Sequence, residues 1–177
     1  DLKTGEERML FEDARVGDIA FNPADRSIWG VRMANGMAKL VRMPPPYDTW
    51  FGVHDFPYES VPYDLDISAD GRRLAASMGE VDGEQYVRVW DIARLQGGDA
   101  KPLSEFKFGL SVPEGFVFSR DGRYLYGSSY YTGASNIFRY EVATGAVEAV
   151  SNAETGYFRP VPLEDGRLLV LAYTADG

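Results

Sequence analysis

His54 is the only histidine of the chain and there is no cysteine, so carboxylates are the side chains with the widest chemical reach. Without thiols, disulfides, thiolate metal sites and cysteine nucleophiles are excluded. A single histidine cannot build a His-rich metal cluster, and no Gly-x-Ser-x-Gly elbow is present to carry a serine nucleophile. The carboxylates that fall into a pattern are Asp18, Asp64 and Glu114, which occupy or adjoin one position when the internal copies of the chain are aligned. Arg159 joins them in the fourth copy. Acids gathered at one rim could hold a cation or a basic peptide group; the alternative is a solvated rim on an acidic protein. No catalytic residue, no metal and no cofactor is assigned from these residues.

A second group lies in Tyr47-Asp48-Thr49-Trp50-Phe51-Gly52-Val53-His54-Asp55-Phe56-Pro57-Tyr58. A Ser-His-Asp triad would depend wholly on His54, and a solvated loop histidine is the plainer reading. Pro44-Pro45-Pro46 stiffens the approach to this stretch, and Tyr47, Trp50, Phe51, Phe56 and Tyr58 supply more aromatic area than a connector needs. Together with His54 they form a candidate partner-binding patch. The alternative is that the rings pack on a neighbouring unit as an irregular fourth strand.

Both groups take their places from a repeat. Phe21-Asn22-Pro23-Ala24-Asp25-Arg26, Ile67-Ser68-Ala69-Asp70-Gly71-Arg72 and Phe118-Ser119-Arg120-Asp121-Gly122-Arg123 share one form, and Val161-Pro162-Leu163-Glu164-Asp165-Gly166-Arg167 is a degenerate fourth copy. The turn aspartates recur at spacings of 45, 51 and 44 residues, the period of a propeller blade of four strands. Asp accepts backbone hydrogens and Gly takes the left-handed conformation, so Asp70, Asp121 and Asp165 are read as turn residues and not as ligands.

Before each turn, Ile19 and Phe21, Leu65 and Ile67, and Phe116 and Phe118 keep the period of two that an innermost strand with one buried face requires. After it come short β-runs at 27–31, 73–77 and 124–128, broken by Asn35-Gly36, Asp82-Gly83 and Gly133-Ala134-Ser135-Asn136. Third strands are expected from Met37 to Met43, Gln85 to Ile92 and Asn136 to Val142, and the fourth is clearest within 141–150. The expected class is all-β: β-propeller blades of four antiparallel strands, about three of them complete, with partial blades at both termini. Residues 1–12 would be the last strand of a preceding blade, 14–60, 61–108 and 109–152 three blades, and 153–177 the first two strands of another. Opening on Asp1-Leu2-Lys3-Thr4-Gly5, inside a repeat, the chain reads as an arc of a longer protein. Its open blade edges are then expected to favour self-association.

Composition narrows the partners. A net charge of -9 and a pI near 4.6 lack the basic footprint of nucleic-acid binding and do not attract an anionic membrane. No apolar run approaches the ~20 residues of a spanning helix. Mean hydropathy is -0.27 with 45% apolar residues, which describes a chain able to build a core. A protein or peptide partner is the remaining expectation.

The runs Ile67 to Leu74 and Phe118 to Leu125, with Asp1 to Gly5 and Glu141 to Gly145, resemble the repeats of TolB-like propellers. Ala69 and Arg120 replace the usual Pro of that pattern, and the first copy lacks its Gly. Val87-Arg88-Val89-Trp90-Asp91-Ile92 also resembles the Trp-Asp strand end of WD-repeat proteins, without their Gly-His pair. Such repeats occur in periplasmic proteins of the Tol system, in middle modules of large bacterial surface or outer-membrane proteins, in propellers that gate prolyl-oligopeptidase-type peptidases, and in lactonase-like enzymes. The resemblance implies a non-catalytic scaffold in a periplasmic or otherwise extracytoplasmic protein, binding protein or peptide through loops and channel mouth. The alternative it leaves open is the propeller portion of an enzyme.

Overall fold

The Asp turns set the frame. Ser68 Oγ donates to Asp70 Oδ1 at 2.6 Å, and the Arg72 amide donates to the same oxygen at 3.1 Å. Gly71, at φ 71°, closes the turn by donating to the Ser68 carbonyl at 2.8 Å. Ser119, Asp121 and Gly122 repeat this arrangement, with Ser119 Oγ 2.7 Å from Asp121 Oδ1 and Gly122 at φ 68°. These bonds, led by the serine hydroxyls, hold Asp70 and Asp121 below the usual carboxylate range. In the first copy the glycine is missing, and Arg26 takes the left-handed conformation instead, at φ 60°.

The structure, a computed structural model, describes residues 3–174. Strands β1 (Val16–Phe21), β2 (Ile28–Ala34), β3 (Met37–Met43) and β4 (Phe51–Asp55) form one four-stranded antiparallel sheet. A second consists of β5 (Val61–Ile67), β6 (Arg73–Gly79), β7 (Gln85–Asp91) and β8 (Ser104–Gly109). The third is β9 (Pro113–Phe118), β10 (Tyr124–Thr132), β11 (Ala134–Glu141) and β12 (Val147–Ala149). A two-stranded sheet of β13 (Tyr157–Pro162) and β14 (Leu168–Ala172) follows. In every sheet the order in space is the order in sequence. The first strands β1, β5, β9 and β13 lie against one another in succession. The architecture is therefore an incomplete β-propeller of three four-stranded blades and a two-stranded fourth.

The core sits between blades. Trp29, Val31 and Leu40 of the first share one buried cluster with Leu74, Met78 and Trp90 of the second. Ala75, Val87, Val89 and Phe108 of the second share another with Phe116, Leu125, Phe138 and Tyr140 of the third. The second sheet thus uses its two faces on two different neighbours, as face-to-face stacking demands. Where no neighbour is present the apolar residues stay open: Ile19 and Phe21 on β1, and Leu169 and Leu171 on β14, are each more than half exposed.

Two features differ from the sequence reading. No strand occupies 3–15; Asp1 and Leu2, the start of the expected strand at 1–12, lie outside the described residues. A strand needs a ladder partner, and this segment instead runs past the first blade, where Arg8 Nη2 donates to the Pro46 carbonyl at 2.8 Å. The second difference is α1 (Ile92–Gln96), a short helix that begins at the last residue of the strand expected from Gln85 to Ile92. Asp91 caps it by accepting from the Arg94 amide at 2.9 Å, and Ile92 and Leu95 enter the core between the first two blades.

Candidate functional site

Each innermost strand contains the same irregularity. The ladder slips between Gly17 and Ile19, between Tyr63 and Asp66, opposite Tyr126 and Ser128, and between Phe158 and Val161. At these bulges Asp18, Asp64, Gly115 and Arg159 have φ of 43°, 48°, 59° and 45°. The four residues are equivalent, three places before Phe21, Ile67, Phe118 and Pro162. Glu114, read as occupying or adjoining this position, adjoins it: it sits in the ladder opposite Ser128, and Gly115 carries the bulge.

The bulges meet across blades. Asp64 Oδ2 accepts from the Gly115 amide at 2.9 Å, and Asp64 Oδ1 lies 4.0 Å from Arg159 Nη2. A Cβ on Gly115 would stand 3.3 Å from Arg159 Cγ, so glycine supplies both the positive φ and the room. Arg159 is itself seated by its amide, which donates to Ser128 Oγ at 3.2 Å. Asp18 is exposed. Among the described residues no three His, Cys, Asp or Glu side chains converge closely enough to hold a metal ion. The three acids therefore do not form a cation site: Asp64 is engaged by a backbone amide and faces an arginine.

Sequence reasoning missed two neighbours of this rim. Tyr63 donates to Gln85 Oε1 at 2.8 Å, and burial, with the Asp64 and Glu114 charges adding to it, pushes its hydroxyl well above the tyrosine range. Asp66 stands where the other blades have Ala20, Val117 and Val161, and that departure from an apolar column was its signal. Its Oδ2 accepts from the Phe118 amide at 2.7 Å and so bolts the second blade to the third.

Burial raises the Asp66 carboxyl, against the pull of the Phe118 and Ile67 amides. The folded chain holds this proton more tightly than the unfolded chain. The contribution to stability is thus fully present below the unfolded value and is lost as pH rises through the raised folded one. Asp66→Asn keeps an acceptor for the Phe118 amide and removes the charge, so its urea midpoint is expected to exceed that of the parent at pH 7 and to converge with it toward pH ~4. Asp66→Ala orphans the amide and is expected to cost about 1–3 kcal/mol. A pH-independent difference between the asparagine variant and the parent would contradict this role.

The aromatic stretch is divided by the fold. Phe51 to Asp55 form β4, the outer strand of the first blade, and Phe51 is 56% exposed. Phe56 is buried instead, edge-on to Trp90 and His54 at 6.3 and 4.7 Å between ring centroids, which removes it from any exposed patch. Burial lowers His54, with Asp55 opposing. The Arg32 guanidinium lies 5.0 Å from the Trp50 ring centroid. Tyr47 donates to the Arg26 carbonyl at 2.8 Å, at the end of the blade that carries the Asp turn. Tyr58, 63% exposed, lies over Gly36 at the opposite end, where β2 turns into β3. Tyr47 and Tyr58 therefore belong to different faces of the propeller. Tyr58 shares its face with the bulges.

On that same face a cleft of ≈ 550 Å³ opens between the third blade and the two-stranded fourth, lined by Glu114, Tyr130, Phe158, Arg159, Leu171 and Tyr173 among others. Tyr130 and Phe158 are 6.0 Å apart between ring centroids, and Phe158 and Tyr173 5.1 Å. Tyr130 comes from the end of β10, whose hairpin with β11 projects beyond the regular ladder at Thr132 and Ala134. The sequence signal for this wall was Tyr130-Tyr131-Thr132 ahead of the Gly133 turn.

No family model matches the sequence, and no curated protein is similar enough in sequence to count as a relative. Solved structures are similar in fold. TolB from Acinetobacter baumannii superposes with a TM-score of 0.69 at 14% identity, over 92% of this chain and 39% of that one. A puromycin-hydrolyzing peptidase from Mycobacterium tuberculosis gives a TM-score of 0.62 at 19% identity, over 88% of this chain and 28% of that one. A nidogen/laminin complex gives 0.61 at 15% identity, over 81% and 52%. The chain spans less than two-thirds of the length of each. By architecture and by these likenesses, the chain has a TolB-like β-propeller fold.

Proposed function

We propose that this chain is a non-catalytic binding module of a bacterial exported or envelope protein, holding a protein or peptide partner through the face on which its innermost strands begin. The observation that carries the reading is the contrast between the two faces. On the turn face, one Asp device is repeated to satisfy the backbone. On the other, four equivalent bulges share a backbone conformation yet carry Asp18, Asp64, Gly115 and Arg159. Glycine or a short polar residue satisfies a left-handed position, so the fold does not ask for that diversity. Variation of chemistry on a constant backbone is what recognition by a repeat scaffold uses. Exposed Tyr58 and Tyr130 on the same face add amphipathic contact area.

The extracytoplasmic setting is inferred from the TolB-like repeats. No helix among the described residues is long and apolar enough to cross a membrane, which says nothing of a β-barrel. The enzyme-part alternative is supported by the fold likeness to a peptidase alone. Selection of a displayed peptide library on the immobilised chain tests the proposal. Enriched peptides are expected to lose binding to the double variant Tyr58→Ala/Tyr130→Ala, both exposed positions on that face, and to keep it with Asp165→Ala on the turn face. Binders with the reverse sensitivity would overturn it.

A further inference from the structure

We propose that the cleft between the third blade and the two-stranded fourth receives a peptide carboxylate flanked by an apolar side chain, with Arg159 as the anchoring cation. This rests on, and deepens, the binding role of the same face. At ≈ 550 Å³ the cleft falls in the size range of ligand sites and has their composition, mostly apolar walls with a few polar groups. Tyr130 and Tyr173 are 54% and 64% exposed, so an incoming apolar group displaces water from two rings that Phe158 already bridges.

The charge pattern selects the ligand. Arg159 is 59% exposed, and its contact with Asp64 is long at 4.0 Å, which leaves most of the donor fork of the guanidinium facing solvent. A carboxylate is the group that fork matches, through two parallel charge-assisted hydrogen bonds. Glu114, on the same cleft, can accept from a peptide N–H. One donor group, one acceptor and an aromatic wall are the complement of a peptide segment ending in, or bearing, a carboxylate.

Backbone strain points the same way. Arg159 has φ 45° at a position where the other blades place Asp, Asp and Gly. Arginine is a poor occupant of the left-handed region, which glycine and aspartate tolerate. Arg26 takes the same conformation at the first turn, so the strain supports the assignment only together with the cleft and the exposed guanidinium beside it.

Fluorescence anisotropy with labelled peptides provides the test. Three peptides share a Phe-Leu core: one with a free C-terminal carboxyl, one amidated, and one amidated with an aspartate beside the Phe. At least one of the two acids is expected to bind about tenfold or more tightly than the neutral amide, and the stronger acid tells a terminal from a side-chain source. Arg159→Gly is expected to abolish that difference while its thermal midpoint stays level or rises, because glycine relaxes the positive φ. Neutral and acidic peptides bound alike, or acid binding untouched by Arg159→Gly, would overturn the carboxylate assignment. If such binding still depends on Tyr58, the face survives as a binding surface; if no peptide binds the face by any route, both proposals fall.

Discussion

Replacing Trp29 with alanine is expected to lower the unfolding free energy by about 3–5 kcal/mol. Trp29 is fully buried and is the largest of the completely enclosed side chains. It belongs to the cluster shared by the first two blades, with Val31 and Leu40 on its own sheet and Leu74, Met78 and Trp90 on the next. Its indole also donates to Ser27 Oγ at 3.0 Å, and Ser27 Oγ donates to Asp25 Oδ1 at 2.5 Å. Truncation therefore opens a cavity between blades and takes the indole donor from Ser27 Oγ, which keeps only its bond to Asp25 at the first Asp turn. Urea unfolding followed by far-ultraviolet circular dichroism measures the loss. A change below about 1 kcal/mol would mean that the first two blades do not share a core.

Gly71→Val is expected to cost on the order of 3 kcal/mol, from two separable sources. Gly71 has φ 71°, where a side chain costs about 1–2 kcal/mol. A Cβ would also lie 2.3 Å from Asn22 Oδ1 and 2.5 Å from Ala24 Cβ on the preceding blade. Asn22 is 2% exposed and donates to the Gly71 carbonyl at 3.1 Å, so pushing it aside breaks a buried bond between blades. Gly166→Val is the control: Gly166 shares the positive φ, at 83°, but nothing lies within 4 Å of its Cβ position. It is expected to show the strain alone. Equal losses in the two variants would remove the blade-to-blade contact from the account.

What could be read in advance divides along the range of the interactions. The Asp turns were legible because their bonds join residues two to five apart, as in Ser68, Asp70 and Arg73. From them follow the strand order and the blade count. The bulges were legible only in part. Ladder slippage at Asp64 or Arg159 is fixed by the partner strand and the next blade, and aligning the copies brings Glu114 to or next to the position that counting back three from Phe118 assigns to Gly115. The helix after Asp91 had a local signature, an Asp cap and the Gly97-Gly98 stop, but the alternation of Val87 and Val89 ahead of it reads as continuing strand. The aromatic cleft had only Tyr130-Tyr131-Thr132 ahead of the Gly133 turn. Tyr130 of β10, Phe158 of β13 and Tyr173 just past β14 meet only through the stacking of the last two sheets.

The proposed recognition on the face where the innermost strands begin is measured most directly by a hydrogen-exchange footprint of the chain with and without a selected peptide. Protection is predicted around the bulges at Asp64, Gly115 and Arg159 and along the β10–β11 hairpin, with the Asp70 and Asp121 turns unchanged. Protection confined to those turns would contradict it.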